Sequence, residues 1–461
     1  MYSHLSILGL LGLLQISTTF FIRNSPARSI MKPIQSTQTS PPPTRTPPSA
    51  ASSPPFLNDR SAGNYMNSDP SKSDLSVEGG ILECPLTIWD FDNLDIDSIP
   101  SSSEAEQSCP KLITPPSSIM SVAEERDWFA SNREMLREEL LENGSLWLRG
   151  FALPKSIAGH RELYESLGMT PCLDPLHSSG LRKFASERDA VYEEVNKESL
   201  RGHYIGLHME STTKRTAAYA AFVCFQKASE DVEPRGRFLI ADGQEILRRL
   251  DKTLLKKLYE RQVRISVSNL DLPWYTHSVL KSWFKTLVEK LITPKFDMDL
   301  EMIYGVDGTS DGRLMAVESR ESPINRHPIT KQPVWFCNAH NHLRYLRDRR
   351  PTQVPEVGMT DVFFGDLGKL SEEECAEIKR ASEASIFSVP MEEGDVILVD
   401  NYRVLHGRDV FKGERFHAVS WFTWDDFRDM GKFAGSERRV KSKDGLNALV
   451  NKYMDILPKE F

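Results

Sequence analysis

Apolar and polar positions divide the chain into an unpatterned first part and a patterned remainder that begins near Ile81. Amphipathic stretches in the remainder predict helices over 121–141, 157–167, 243–259 and 371–382. Short apolar and β-branched runs predict strands over 146–151, 219–225, 238–241, 261–267, 334–338, 385–390, 395–400 and 416–424. Strands outnumber helices, so the pattern predicts a mainly β fold, a sandwich or barrel with flanking helices.

The first 80 residues have a different composition from the rest. Leu5–Leu14 is an apolar run of signal-peptide length. The segment Arg23–Pro55 contains basic residues but no Asp or Glu, with seven prolines from Pro41 to Pro55 inclusive. Such a composition predicts disorder. The combination resembles the two-part plastid address of algae with complex plastids. A plain secretory signal or an anchor in the endoplasmic reticulum is the alternative.

These shifts predict three segments: a leader over 1–80, a folded domain over 81–430 and a C-terminal helical tail over 431–461. The net charge of −8 argues against a nucleic-acid-binding surface. The absence of further long apolar runs predicts no stable membrane association once the leader is removed. The six cysteines form no C-x-x-C pair, which disfavours a zinc ribbon or a disulfide scaffold.

One pair of residues has the spacing of two metal ligands on a strand. His208 and Glu210 are two positions apart, and residues i and i+2 of a strand point to the same face. Chance alone predicts one or two His-x-acid matches in a chain of this composition. The other match, His160 with Glu162, falls in a predicted helix, where such positions do not share a face.

A second block near the C-terminus supplies further chemistry. His406 follows a predicted strand, and a turn at Lys412-Gly413 leads into a strand that begins with Arg415. We predict that a hairpin brings His406 and Arg415 together, with Arg408 facing either the same site or a structural carboxylate. A fixed guanidinium can hold a carboxylate through two parallel hydrogen bonds.

Two imidazoles and one carboxylate on one face of Fe(II) leave three open positions. Two of these suit a chelating 2-oxo acid and the third suits O2. The residues therefore predict a metal site at His208, Glu210 and His406. Arg415 would anchor the far carboxylate of 2-oxoglutarate.

The segments GLHME, VWFCNAH and EEGDVILVDNYRVLHGRDVFKGERF resemble the TauD/TfdA superfamily of dioxygenases, nearest the branch of the syringomycin-biosynthesis hydroxylase. The resemblance implies a double-stranded β-helix (jelly roll), an iron site of His208, Glu210 and His406, and 2-oxoglutarate held by Arg415. It departs from the family at RGRFLIAD, where Phe238 replaces a threonine that helps to hold 2-oxoglutarate. Arg415 alone, or Arg415 with Arg237, would then bind the co-substrate.

Further polar residues are candidates for the substrate side of the site. Asn338 and His340 follow a strand that is similar to the family's substrate-lining strand, and Arg182 lies in a stretch that matches a substrate-side loop. His340 and His342 also form a possible second metal pair. For each of these residues a purely structural role is the alternative.

The sequence thus predicts an Fe(II)- and 2-oxoglutarate-dependent dioxygenase that oxidises a C–H bond of a small, carboxylate-bearing, amino-acid-like metabolite in specialised metabolism. Because Glu210 occupies the position that iron halogenases leave open for chloride, hydroxylation, desaturation or oxidative cyclisation is expected. Two rivals remain. One is another metal-dependent, cupin-like enzyme centred on His340 and His342, and the other is a jelly-roll binding module without turnover, which the change to Phe238 would favour.

Overall fold

The computed structural model describes residues 81–424, except for 102–108, 178–182, 194–203, 229–233, 235, most of 272–298, 305–312 and 348–359. The predicted leader (1–80), the predicted tail (431–461) and Arg182 therefore lie outside the described residues. Within the described part, no helix is long and apolar enough to span a bilayer.

Strands make up most of the regular structure, and the helices are short. The strands are β1 (Lys111–Ile113), β2 (Ser145–Leu148), β3 (Pro171–Cys172), β4 (Phe184–Ser186), β5 (Val191–Glu193), β6 (Ile205–His208), β7 (Tyr219–Gln226), β8 (Phe238–Asp242), β9 (Val263–Asp271), β10 (Leu300–Tyr304), β11 (Arg313–Glu318), β12 (Ile324–Arg326), β13 (Pro333–Trp335), β14 (Asp361–Phe364), β15 (Ile386–Val389), β16 (Val396–Asp400), β17 (Val404–Arg408) and β18 (Phe416–Phe422). The helices are α1 (Val122–Ser131), α2 (Arg133–Asn143), α3 (Ile157–Ser166), α4 (Gly243–Arg249), α5 (Lys252–Arg261), α6 (Ala339–His342), α7 (Arg344–Arg347) and α8 (Glu372–Ala384), with a 3-10 turn at Leu153–Lys155.

The larger of the two principal sheets has the strand order β1-β2-β16-β7-β18-β5-β4, with β3 paired to β18. Its strand β16, which has neighbours on both edges, is apolar at four consecutive positions because it is buried on both faces. Leu398 packs in the cluster beneath the helices, whereas its neighbours Ile397 and Val399 pack in the cluster on the opposite face. This alternation follows from the two-residue period of a strand.

The smaller principal sheet has the order β15-β8-β17-β6 and packs face to face on the larger one. Phe222 of β7 meets Phe238 of β8 across the interface, with ring centroids 4.7 Å apart. Val404 and Ile240 of the smaller sheet share the same buried cluster with Trp421 of the larger sheet. The predicted mainly β fold with flanking helices is thus present as a two-layer sandwich.

Helices cover the outer faces of the sandwich. Phe129 of α1, Leu140 of α2 and Leu163 of α3 are fully or almost fully buried in one cluster with Leu146 and Leu148 of β2. Between β8 and β15 the chain forms α4 and α5, the sheet β10-β11-β9-β14, the pair β12-β13 and the helices α6 to α8. This insertion lies in the chain between the two blocks that carry the predicted metal ligands.

Several predicted boundaries are wrong for local reasons. The helix expected over 121–141 breaks at Asn132, whose side-chain amide donates to Trp128 O and caps α1. The helix expected over 243–259 breaks before Asp251, whose carboxylate accepts from Leu254 N and begins α5. The strand expected over 334–338 ends at Trp335, because the chain turns there into α6.

Candidate metal centre

His208 and His406 lie directly opposite each other on paired antiparallel strands. The register of β6 and β17 aligns the two residues, and their ring centroids are 4.3 Å apart. The strands approach closely at this point because residue 407 is glycine. A Cβ there would lie 2.7 Å from Ile205 O, so any side chain would push β6 away from β17.

Glu210 lies two residues after the end of β6 and is only 4% exposed. Its backbone N–H donates to Asn401 Oδ1 and its carbonyl accepts from Asn401 Nδ2, both at 3.1 Å. One ligand atom from each of His208, Glu210 and His406 lies within 4.8 Å of the other two. The structure therefore brings the three predicted ligands together, and Asn401 fixes the backbone that carries the carboxylate.

The protonation of His208 also suits a metal. Its Nδ1 lies 2.9 Å from Gly206 O, and since a carbonyl can only accept, Nδ1 carries the proton. The lone pair is then on Nε2, the usual arrangement of a ligating imidazole whose other nitrogen donates to a carbonyl. Two imidazoles and one carboxylate are the donor set of non-haem Fe(II) oxygenases, so the residues fit that metal.

Aromatic rings surround His406 on the inner side of the sandwich. Phe222, Trp421 and Phe238 have ring centroids 4.6, 6.1 and 6.3 Å from the imidazole, and the Phe238 ring is nearly parallel to it. Phe238, which stands where a threonine is expected, is 2% exposed. It therefore contributes apolar packing beside the candidate centre in place of a hydroxyl group.

Two arginines are buried where the chain crosses between the sheets. Arg408 is 1% and Arg415 is 6% exposed, and their guanidinium carbons lie 4.8 and 4.3 Å from the centre of the Phe411 ring. Arg415 also donates through Nη1 to Gly236 O at 2.7 Å. The segment around residue 236 can lie this close to Phe411 only with glycine at that position. Its φ is +69°, and an added Cβ would lie 2.6 Å from Phe411. Two positive charges are thus held in the protein interior.

The predicted hairpin between His406 and Arg415 is wrong. Strand β17 pairs with β6 and β8, whereas β18 pairs with β7, β5 and β3 in the other sheet. The linking segment bonds elsewhere: Asp409 N donates to Arg237 O, and Lys412 N donates to Pro234 O. The chain therefore crosses from one sheet to the other instead of folding back on itself.

Arg237, the suggested second contact for the co-substrate, has an exposed side chain. It lies near Asp409, whose pKa is raised by burial and lowered to a smaller extent by the charge of Arg237. The side chain of Arg237 is thus exposed, whereas those of Arg408 and Arg415 are buried.

Asn338 and His340 both contact the strand that carries His208. Asn338 Oδ1 accepts from Met209 N at 2.8 Å, and the fully buried His340 accepts through Nδ1 from Leu207 N at 2.9 Å. His342 Nδ1 lies 3.0 Å from Thr360 Oγ1. Among the described residues, His340 and His342 belong to no cluster of three potential metal ligands.

Sequence reasoning missed the roles of Asn401 and Asn341. Asn401 bonds to the backbone of Glu210 and Ala217, and Asn341 Oδ1 accepts from Gly206 N at 3.0 Å. The Asp-Asn pair after β16 was visible as part of the C-terminal block, but a buried asparagine is informative only when its distant backbone partners are known.

The chain matches the model of the family described as "Taurine catabolism dioxygenase TauD, TfdA family" over residues 111–421, and it belongs to that family. This membership confirms the predicted class, a 2-oxoglutarate-dependent non-haem iron dioxygenase, with Fe(II), 2-oxoglutarate and O2 as cofactor and co-substrates.

Among curated relatives, the dapdiamide synthesis protein DdaC of Enterobacter agglomerans is 26% identical over 189 residues, which cover 39% of this chain. The match spans about half, 54%, of that relative's length. Among solved structures, PvcB of Pseudomonas aeruginosa aligns with 69% of this chain and 87% of its own at 16% identity and a TM-score of 0.41. An asparagine oxygenase with Fe(II), 3-hydroxyasparagine and succinate aligns with 68% of this chain and 93% of its own at 13% identity and a TM-score of 0.39.

Proposed function

We propose that this chain couples the oxidative decarboxylation of 2-oxoglutarate to the oxidation of a C–H bond in a small, amino-acid-like metabolite. The observation that carries the proposal is the alignment of His208 and His406 on paired strands, with Glu210 within 4.8 Å of both. These three side chains are the proposed ligands of Fe(II). We also infer that the two-layer sandwich around them is the double-stranded β-helix of the family.

Bound Fe(II) would supply the centre at which O2 is activated for attack on an unreactive C–H bond. The other residues of the proposal bind and orient. Arg415, buried and held by its bond to Gly236 O, would pair with the far carboxylate of 2-oxoglutarate. Phe222, Phe238 and Trp421 would keep water from the inner side of His406.

The outcome of the reaction is proposed to be hydroxylation, desaturation or oxidative cyclisation. Glu210 is buried and its backbone is fixed by Asn401, so a carboxylate stands where a halogenase would need room for chloride. Halogenation is therefore not expected.

The substrate is proposed to be a small amino acid or an amino-acid derivative that bears a carboxylate. The family resemblance favours this class, and the relative DdaC is named for the synthesis of dapdiamide, which favours a place in specialised metabolism. The structure gives less support to Asn338 and His340 as substrate contacts, because both side chains bond to the backbone on either side of His208.

Succinate release from 2-oxoglutarate tests the reaction class. Purified protein with Fe(II), ascorbate and a panel of amino acids under air should release succinate, and release should increase with the true substrate. An intact His208→Ala protein should release none. Turnover that survives this change would contradict the iron assignment, and turnover without 2-oxoglutarate would favour the cupin-like alternative. Ligand binding without any turnover would favour the binding module.

We also propose that residues 1–80 direct the chain to an organelle, the plastid of an alga. The sequence order of an apolar run followed by an acid-poor, proline-rich segment supports this address. A fluorescent fusion of residues 1–80 should then accumulate in the plastid. Secretion of the fusion would contradict the proposal.

A further inference from the structure

The strand that bears His208 is the last strand of the smaller sheet, with β17 on its inner edge. On its other edge it bonds to side chains from residues 338–341. Leu207 N donates to His340 Nδ1 at 2.9 Å, and Met209 N donates to Asn338 Oδ1 at 2.8 Å. Leu207 and Met209 flank His208 directly, so both amides next to the proposed ligand are held by these two side chains.

We propose that Asn338 and His340 are positioning residues that hold the His208-x-Glu210 segment in the geometry required for metal binding. This inference rests on the proposed iron site. It assigns the two residues a function that differs from the substrate contact expected from the sequence.

Asn338 makes the hydrogen bonds that a neighbouring strand would make on the edge of β6 that pairs with no other strand among the described residues. Its Oδ1 accepts from Met209 N and its Nδ2 donates to Met209 O at 3.2 Å, which are the two bonds that an opposing strand residue would make. Asn338 is also the residue that precedes α6, yet its side chain makes no capping bond to that helix. The side-chain amide of Asn338 therefore bonds to Met209 and not to α6, although asparagine is ordinarily a favourable N-cap residue.

His340 holds the next amide along the same edge. The N–H groups of residues i and i+2 of a strand point in the same direction, so Leu207 and Met209 present both donors to one side. Because Nδ1 of His340 accepts from Leu207, the ring carries its proton on Nε2, which lies 3.8 Å from Glu383 Oε1. The fully buried ring thus has a hydrogen bond at Nδ1 and a carboxylate in the neighbourhood of Nε2.

A real neighbouring strand would continue the sheet past His208, whereas the 338–341 segment turns into α6. The side chains of Asn338 and His340 accept from the buried N–H groups of Met209 and Leu207. Without these bonds, each buried N–H group would be unsatisfied, and its lost hydration would destabilise the fold. Groups that orient a ligand without touching the metal typically change metal affinity by about 10- to 100-fold when they are removed.

Mn(II) binding to the purified full-length protein tests this role without depending on catalysis. Affinity would be measured by titration followed by electron paramagnetic resonance, and the melting temperature of the metal-free protein would be measured in parallel. We expect Asn338→Ala and His340→Leu each to weaken Mn(II) binding by about 10- to 100-fold. His340→Asn, whose amide oxygen can take the place of Nδ1 as acceptor, should restore affinity to within about 3-fold of the wild type.

Asn325→Ala is the matched control. Asn325 is fully buried, and its side chain makes the same pair of bonds to a backbone segment away from the site, accepting from Asp90 N at 2.7 Å and donating to Ile88 O at 2.8 Å. It should lower the melting temperature as Asn338→Ala does, while Mn(II) affinity stays within about 3-fold of the wild type.

Equal Mn(II) affinities in Asn338→Ala, His340→Leu and Asn325→Ala would overturn the positioning role, provided that His208→Ala still abolishes binding. Mn(II) binding that survives His208→Ala would instead overturn the proposed metal site itself. If Asn338→Ala does not fold, Asn338→Asp replaces it. Aspartate keeps the acceptor for Met209 N but removes the donor to Met209 O, and it should still weaken Mn(II) binding, whereas unchanged affinity would count against the role.

Discussion

The two sheets of the sandwich share one apolar layer but differ in how their strands are held. In the larger sheet, β16, β7 and β18 each have backbone partners on both edges. In the smaller sheet, the part of the chain that the structure describes pairs with the backbone of β6 on one edge, and side chains from 338–341 bond to the other. The predicted metal ligands lie on β6, just after it, and on the adjoining β17.

This difference bears on where the proposed metal ligands lie in the sandwich. Strands β16 and β7, which are paired on both edges, are filled almost entirely by packing residues. A strand at the end of a sheet can stop early, as β6 does at His208, so that Glu210 leaves the sheet while remaining near both imidazoles. The comparison predicts that changes at the proposed metal ligands of the smaller sheet affect the reaction and that changes on the outer face of the larger sheet affect stability.

The largest effect is expected for His208→Ala. Loss of one of three metal ligands should lower the rate of succinate release by at least about 1,000-fold, because no other described side chain completes the set. The free energy of unfolding of the metal-free protein should change by less than about 1 kcal/mol, since His208 is only partly buried. The succinate assay measures the rate, and unfolding in urea measures the stability. A loss of several kcal/mol in stability together with the loss of rate would contradict the separate roles of the two sheets.

The opposite result is expected for Leu148→Ala in the larger sheet. Leu148 is completely buried beneath the helices, so its truncation should lower the free energy of unfolding by about 2–5 kcal/mol. The turnover number of the folded fraction should stay within about 2-fold of the wild type, because the side chain faces away from the shared layer. A large loss of turnover in fully folded protein would show that the two sheets are coupled.

Arg415→Lys should raise the KM for 2-oxoglutarate by about 10- to 100-fold, since an ammonium cannot form two parallel bonds to a carboxylate. Initial rates at several 2-oxoglutarate concentrations measure this change. Arg264→Lys is the control, because the Arg264 guanidinium bonds to Glu301 and to Glu318 O in a different sheet. An unchanged KM in Arg415→Lys would remove Arg415 from the co-substrate site.

The smallest effect concerns a histidine on the outer side of the larger sheet. Burial lowers the pKa of His160 to about 4, and its Nε2 lies 3.2 Å from Ser420 Oγ of β18. As the pH falls, His160 therefore takes up a proton near pH 6.5 in the unfolded chain but only near pH 4 in the folded protein. Stability from this residue is complete above pH 6.5 and is lost as the pH falls, by about 1.4 kcal/mol per unit.

His160→Gln should remove that part of the acid sensitivity, since an amide does not titrate. Unfolding in urea at pH 7.0, 6.5 and 5.5 measures the slope for both proteins. Identical slopes would show that His160 has the same pKa in the folded and the unfolded chain, which would contradict the lowered pKa.

Local features of the fold were largely predictable from the sequence. Gly144 ends α2 with φ of +75°, and Gly168 follows α3 with φ of +72°, as expected where helices stop. The apolar run of β16 predicted a strand, and the structure shows why the run is unbroken: a strand covered on both faces needs no polar positions. The breaks at Asn132 and before Asp251 were not predicted, since both residues are compatible with a helix and stop it only through their capping bonds.

The candidate site was predictable in part. The i, i+2 spacing of His208 and Glu210 predicts that they share a face, whereas the distance to His406 depends on which strands become neighbours. The prediction of a hairpin was wrong because the sequence does not show which strands pair. Strand β17 pairs with β6 and β8, whereas β18 pairs with β7 in the other sheet. The bonds of Asn338 and His340 to β6 span about 130 positions in the chain, so no local pattern could indicate them.

The sequence by itself determined the strand and helix periods, the types of metal-binding and anion-binding side chains, and the family to which the chain belongs. Tertiary structure alone decided which strands adjoin, that the Arg415 segment crosses between sheets, and that residues 338–341 hold the edge of β6. The physical reason is that the period of a strand specifies the face on which a side chain lies. The neighbour of that strand is selected by packing between residues far apart in the chain.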